Sequence, residues 1–77
     1  MIMLVLEYLY SQEVNVRVES FFDAGWSVSI GDEMNGWTAS TSNFSSTKAM
    51  AQWLLAETPK HFKMNETFET WLHRPNL

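Results

Sequence analysis

The sequence predicts an α+β fold: an antiparallel sheet of three or four strands, one helix packed on a face of that sheet, and a short C-terminal helix. Two runs alternate apolar and polar residues, turn residues punctuate the strand-like runs, and a later segment repeats its apolar residues at helical spacing. The chain has 77 residues, so we expect a single small domain over residues 1–77.

Two neighbouring runs have the period of two that is typical of strands with one buried face. Their apolar members are Val14, Val16, Val18, Trp26, Val28 and Ile30. The turn residues Asp23-Ala24-Gly25 separate the runs and predict a β-hairpin. Asn35-Gly36 is a strong signal for a second hairpin, which predicts a third strand at about Trp37 to Ser42. We expect Trp37, Ala39 and Thr41 to face inward, and this polar strand suits a sheet edge.

A helix is predicted over Ser46–Glu57. Ser45 or Ser46 can cap its first turn by accepting from free backbone N–H groups. One apolar stripe, expected to pack on the sheet, consists of Ala49, Met50, Trp53 and Leu54. Thr58-Pro59 should end the helix, because a residue that precedes proline is pushed out of the α region.

The segment Met1–Tyr10 is compatible with two structures. As a strand it would align Ile2, Leu4, Leu6, Tyr8 and Tyr10 on one face, and as a helix it would align Ile2, Val5, Leu6 and Leu9. We favour a strand because tyrosine, valine and isoleucine suit the pleat. An exposed strand of this kind could pair with a second copy, so we expect a homodimer. The segment lacks the basic start of a signal peptide, and Glu7 makes it too short to span a membrane.

A second, shorter helix is predicted from Glu66 to His73, capped by Asn65. Phe68, Trp71 and Leu72 recur at the spacing of one helix face. Acidic residues at its start and basic residues at its end suit the helix dipole.

Composition restricts the classes of function. The formal net charge is −4, which argues against binding to nucleic acid or to an anionic membrane, since both need clustered lysine and arginine. There is no cysteine, so the sequence offers neither a disulfide nor a thiolate metal site, and we expect a cytoplasmic protein.

No catalytic, cofactor-binding or metal-binding residue is predicted. Asp23, Asp32 and Glu33 lie in adjacent turns but do not have the spacing of a calcium loop. His61 and His73 lack a third ligand for a metal, and we interpret them as a loop residue and a helix C-terminal charge. We therefore expect no cofactor and favour a non-catalytic protein, with an enzyme left open.

The aromatic content is the feature with most functional promise. Four Trp, five Phe and two Tyr are many for a core of this size, so we expect some of them to bind a partner. The candidates for partner binding are Tyr8, Tyr10, Phe21, Trp37 and Trp71. We expect a protein-interaction module that binds through its sheet edge or through these aromatics. The alternative is a small-molecule-binding domain or small enzyme with a pocket between sheet and helix, using Glu19, Asp32 or His61.

The turn and strand from Asp23 to Ile30, with Gly36 and the helix start Ser46-Thr47-Lys48-Ala49, resemble the small sheet-and-helix domain of HicB-like antitoxins. The resemblance covers about Val14 to Ala56 and is one of order and spacing. It implies the fold given above and an antitoxin-like, protein-binding role, and it assigns no catalytic residue. This chain departs from the pattern at Lys48, where such domains usually have an acid, and no DNA-binding segment follows the helix.

Overall fold

The structure is a computed structural model that describes residues 1–32 and 36–74, without the side chain of Asp32. The chain forms α1 (Ile2–Ser11), β1 (Val16–Phe21), β2 (Gly25–Asp32), β3 (Gly36–Phe44), α2 (Thr47–Glu57) and α3 (Phe68–Leu72). A short 3-10 turn, Thr58–Lys60, follows α2. The three strands form one antiparallel sheet in the order β1-β2-β3, and the predicted α+β fold is confirmed.

The N-terminal segment is a helix, so the strand that we favoured is wrong. Val5, Tyr8 and Leu9 are buried at the spacing of one helix face. A strand would have put Leu4 and Tyr10 on the same side as Tyr8, yet both are exposed. Packing against α2 and α3 outweighs the β-propensity of individual residues, which depends on context. The edge strand from which we predicted a homodimer is therefore not there.

Both hairpins form as predicted, although the Asn35 position lies outside the described residues. In the first hairpin Val16 pairs with Ile30 and Val18 with Val28, so these side chains share the inner face of the sheet. Because successive side chains of a strand point to opposite faces, Arg17 and the other alternate residues of β1 point to the outer face. One face of the sheet is thus apolar and carries the core.

A β-bulge reverses the face of Trp37. Ile30 pairs with Ala39, but the next residue of β2, Gly31, pairs with Trp37, so β3 has one extra residue between them. The extra residue moves Trp37 to the outer face, where the Cζ atom of Arg17 lies 4.4 Å from the centre of the indole ring. The prediction that Trp37 faces inward is wrong, whereas Ala39 does pack against the core.

The second helix forms where the sequence predicts it. Its N-cap is Ser46, whose Oγ accepts a hydrogen bond from the backbone N–H of Ala49 at 3.2 Å. The α-helix ends at Glu57, just before the Thr58-Pro59 pair. It contacts α1 on one side and β2 and β3 on the other. The core around it contains Val5, Tyr8, Leu9, Val14, Val28, Ile30, Met50, Ala51 and Leu54.

The third helix is shorter than predicted and has a different cap. Thr67 is the N-cap, and its Oγ1 accepts from the backbone N–H of Thr70 at 3.1 Å. The backbone N–H groups of Asn65 and Glu66 donate instead to Oε1 of Gln12, at 2.8 and 3.3 Å. The two residues that we expected to open the helix therefore tie the segment to the end of α1.

Gly31 is required by the close approach of β3, and we predict that Gly31→Ala destabilises the fold by about 1–3 kcal/mol. Its φ is +125°, and a Cβ atom there would lie 2.7 Å from the backbone N of Thr38 and 2.8 Å from the carbonyl O of Gly36. Urea unfolding followed by circular dichroism measures the loss.

Gly36→Ala is the matched control. Gly36 also has a positive φ, +87°, but a Cβ atom there would meet nothing within 4 Å. It should therefore lose less stability than Gly31→Ala. Equal losses in the two variants would show that backbone conformation alone, and not the contact with β3, requires Gly31.

Candidate interaction surface

The five predicted partner-binding residues do not form one surface. Tyr10 is 85% exposed on α1, and Phe21 is 52% exposed at the end of β1. Trp37 lies on the outer face of the sheet beneath Arg17. Tyr8 and Trp71 lie together between α1 and α3, where Tyr8 is only 4% exposed. Their role in partner binding stays a prediction, and the buried position of Tyr8 removes its ring from the accessible surface.

Tyr8 holds the C-terminal segment against α1. Its ring centre lies 5.4 Å from that of Phe68, in an edge-on arrangement, and 5.7 Å from that of Trp71. Its hydroxyl donates to the carbonyl oxygen of Glu66 at 2.6 Å. Burial, and to a lesser extent the Glu66 carboxylate, raises the pKa of the Tyr8 phenol above its ordinary value. This aromatic cluster therefore stabilises the fold.

The outer face of α1 is the first exposed apolar surface. Met3, Leu4 and Tyr10 are all more than two-fifths exposed, and Glu7, also exposed, lies among them. Glu7 is the only charged residue of the ten in the helix. A helix that is apolar on all sides is normally covered on all sides. Sequence reasoning selected neither Met3 nor Leu4 as a candidate. The strand interpretation grouped Leu4 with Tyr8 and Tyr10 and left out Met3, so the two were never placed on one surface.

The tip of the first hairpin is the second exposed apolar surface. Phe22 is fully exposed next to Phe21, in the turn between β1 and β2. Two adjacent phenyl rings in water are unusual at a turn, where glycine, asparagine, aspartate and serine dominate. The doublet Phe21-Phe22 was visible in the sequence, but only Phe21 was selected as a candidate.

Both edges of the sheet carry features that hinder pairing with another strand. The outer strand β1 bears Arg17 and Glu19, whose side chains lie 3.8 Å apart and are about half exposed. The other outer strand, β3, contains no charged residue but has a register irregularity in each half, and Asn43 has a φ of +67°. Charges and bulges are two of the devices that natural sheets use to blunt an edge.

Glu57 and His61 form a titratable pair outside the core. The Nε2 atom of His61 lies 2.7 Å from a carboxylate oxygen of Glu57, and Nζ of Lys60 lies 3.4 Å from the other. The hydrogen bond with His61, more than the charge of Lys60, lowers the pKa of the Glu57 carboxyl. These contacts hold the turn after α2 in place.

His73 is the C-cap residue of α3, as its interpretation as a helix-terminal residue predicts.

A groove of about 760 Å³ lies between α1, α2 and the segment 64–69. Its apolar walls include Tyr8, Leu9, Leu54, Leu55, Met64 and Phe68. Thr58 borders it, and the Oγ1 atom of Thr58 is buried without a hydrogen-bond partner among the described residues. Among the described residues, no strand residue lines this groove, so it differs in position from the pocket expected between sheet and helix. Neither Glu19 nor His61 borders it.

Residues 1–32 and 36–74 contain neither a metal-binding cluster nor a membrane-spanning helix. No group of three or more histidine, cysteine, aspartate or glutamate side chains in this part of the chain could hold a metal ion. Within the same residues, no helix has the length and apolar character needed to cross a membrane. Of the acidic turn group Asp23, Asp32 and Glu33, the Asp32 side chain and Glu33 lie outside the described part.

The chain matches no family model, no curated protein and no solved structure. The order of three strands and a helix between Val16 and Glu57 is observed. The resemblance of that order to HicB-like antitoxin domains stays a prediction.

We predict that Tyr8→Phe lowers the free energy of unfolding by about 1 kcal/mol, because it removes the hydrogen bond to Glu66. The variant should also respond less to alkali. A phenol whose pKa is raised in the folded state stabilises the fold fully below its ordinary pKa, and this contribution is lost as the pH rises through the folded value.

Urea unfolding at a series of pH values from neutral to strongly alkaline measures both effects. Tyr10→Phe is the matched control, since Tyr10 is mostly exposed and leaves the Tyr8 contact intact. An alkaline slope that is the same in Tyr8→Phe as in the natural protein would contradict this assignment.

Proposed function

We propose that the protein is a non-catalytic interaction module that binds a protein partner through exposed apolar side chains. The observation that carries the proposal is the outer face of α1, where Met3, Leu4 and Tyr10 lie exposed around a single carboxylate. Contiguous exposed apolar surface on a small domain is a mark of an interaction site. The Phe21-Phe22 tip supplies a second, separate patch of the same character.

The charges support a protein rather than a nucleic acid as the partner. The net charge is −4. Three of the basic side chains are close to acids within the chain: Arg17 to Glu19, Lys60 to Glu57 and Arg74 to Glu66. Binding to phosphates needs basic side chains that are clustered and available. The cysteine-free composition suits a reducing compartment, and we place this function in the cytoplasm.

Exposed apolar side chains, rather than a sheet edge, are the binding element in this proposal. The charges of β1 and the bulges of β3 both disfavour the addition of a strand. The partner can be another protein or a second copy of the chain, which would give the expected homodimer by way of a helix face. The resemblance to HicB-like antitoxin domains implies an antitoxin-like role, which is also a protein-binding function.

Capture from a lysate of the source cells tests this proposal, with the tagged protein compared with a Met3→Ser/Tyr10→Ser double variant. Both residues are exposed, so we expect the variant to fold normally and to lose most of the proteins that the natural chain enriches. Quantitative mass spectrometry measures the enrichment ratio. Gln52→Ser, on the exposed side of α2, is the control and should leave the ratio unchanged.

Circular dichroism and urea unfolding confirm that each variant is folded. Equal enrichment by the natural protein and by the folded double variant would contradict a binding role for α1. A parallel Phe22→Ser variant assigns any remaining capture to the hairpin tip.

The groove beside Thr58 favours a second candidate function, the binding of a small apolar molecule with one polar group. The groove is mostly apolar, and the Thr58 hydroxyl has no partner among the described residues. This candidate predicts that a fluorescent apolar probe, anilinonaphthalene sulfonate, binds the folded protein and binds more weakly to Leu55→Trp, which fills the groove. The Met3→Ser/Tyr10→Ser variant is the control for binding to the outer face of α1. Loss of probe binding in that control but not in Leu55→Trp would exclude the groove as the binding site of the probe.

A further inference from the structure

The exposed face of α1 has a defined charge pattern. Glu7 follows Met3 by four residues and Leu4 by three, and it precedes Tyr10 by three. These spacings place all four side chains on one side of the helix, with the carboxylate in the middle. The surface is an apolar strip interrupted by one negative charge at its centre.

Glu7 has no ion-pair partner within residues 1–32 and 36–74. The helix itself contains no lysine, arginine or histidine. A partner that covers Met3, Leu4 and Tyr10 must also cover this carboxylate. Burial of an unpaired carboxylate is costly, and a cation with hydrogen-bonding N–H groups offsets most of that cost. The surface therefore selects a partner that brings a positive charge to its centre.

This pattern disfavours a second copy of the chain as the occupant. In a closed dimer the same patch meets itself, so two α1 helices paired across a two-fold axis would bring their Glu7 side chains together. Juxtaposed like charges oppose binding, and the two copies also carry −4 each. A different, basic chain meets the same apolar strip without this repulsion.

We propose that the outer face of α1 binds an amphipathic helical segment of another protein, in which apolar residues flank a lysine or arginine. This inference rests on the proposed function and specifies the chemistry of its partner. The exposed helix is ten residues, or about 15 Å, long. That length matches two to three turns of a partner helix with apolar residues at positions i, i+3, i+4 and i+7. Arginine suits the central position because its planar group can pair with a carboxylate through two hydrogen bonds.

A display library of helix-forming peptides, with the surface positions varied over all residues, tests the proposal against the full chain. We expect the selected peptides to be enriched in apolar residues at helical spacing around one lysine or arginine. A selected peptide, synthesised with a fluorescent label, should bind Glu7→Gln about fivefold and Glu7→Lys more than tenfold more weakly than the natural protein, measured by anisotropy at low salt. The loss should shrink as salt screens the pair.

Glu19→Lys is the matched control, because it makes the same change of charge on the outer face of the sheet, away from α1. The peptide with its central basic residue changed to glutamate should recover affinity for Glu7→Lys. Equal weakening by Glu19→Lys and Glu7→Lys would reduce the effect to net charge and overturn the proposal.

The other outcomes separate the inference from the proposed function. Suppose that the selected peptides lose binding to the Met3→Ser/Tyr10→Ser variant but are not enriched in lysine or arginine. That result would support the interaction module and overturn the proposal of a basic partner. No selected peptide, together with unchanged capture by the Met3→Ser/Tyr10→Ser variant, would overturn both. Concentration-dependent dimerisation that Met3→Ser/Tyr10→Ser abolishes, measured by sedimentation, would assign the face to a second copy. Binding of the natural protein to phosphatidylcholine vesicles through the same residues would assign it to a lipid surface.

Discussion

The packing of α2 between α1 and the sheet is the contact on which the rest of this structure depends. Met50, Ala51 and Leu54 are buried, and α2 touches the strands on one side and α1 on the other. A chain of 77 residues buries only ~60% of its unfolded surface, and α2 packs against both α1 and the strands. The other elements pack around α2. The sides of α1 that do not face α2 or α3 are exposed to solvent.

This constraint explains why the exposed apolar surface is where it is. The inner face of α1 meets α2, and Tyr8 ties that helix to α3 through Phe68, Trp71 and the Glu66 carbonyl. No further element is available among the described residues to cover Met3, Leu4 and Tyr10. On the sheet, by contrast, the outer face is polar apart from Trp37, with the Ser40 hydroxyl donating to that of Ser29 at 2.8 Å. The molecule is thus apolar outside on its helical side and hydroxyl-rich on its sheet side.

Much of the fold could be predicted from local sequence signals. The alternating valines, the turn at Asp23-Ala24-Gly25 and the cap at Ser46 each act over a few residues, and all three formed as expected. The features that were missed depend on distant contacts. Whether residues 2–11 form a helix depends on contacts with α2 and α3, which follow far along the chain. The outward orientation of Trp37 depends on a bulge opposite Gly31. Neither has a strong local signature.

The candidate site was harder to predict than the fold for the same reason. Aromatic content indicated a binding surface, but it cannot separate a structural ring such as that of Tyr8 from an exposed one such as that of Tyr10. Only the helical period of α1 does so, because it assigns the two tyrosines to different faces.

The helical period of α1 also determines where Glu7 lies. On a strand, Glu7 would have faced away from the tyrosines as an ordinary polar residue, whereas on the helix it lies within the apolar strip. In the proposed interaction, one carboxylate in that position would oppose self-association and non-specific binding of this apolar face, and it would favour a partner that supplies the opposite charge. A surface built in this way can be strongly apolar and still discriminate, since the penalty for a wrong partner is an unpaired buried charge.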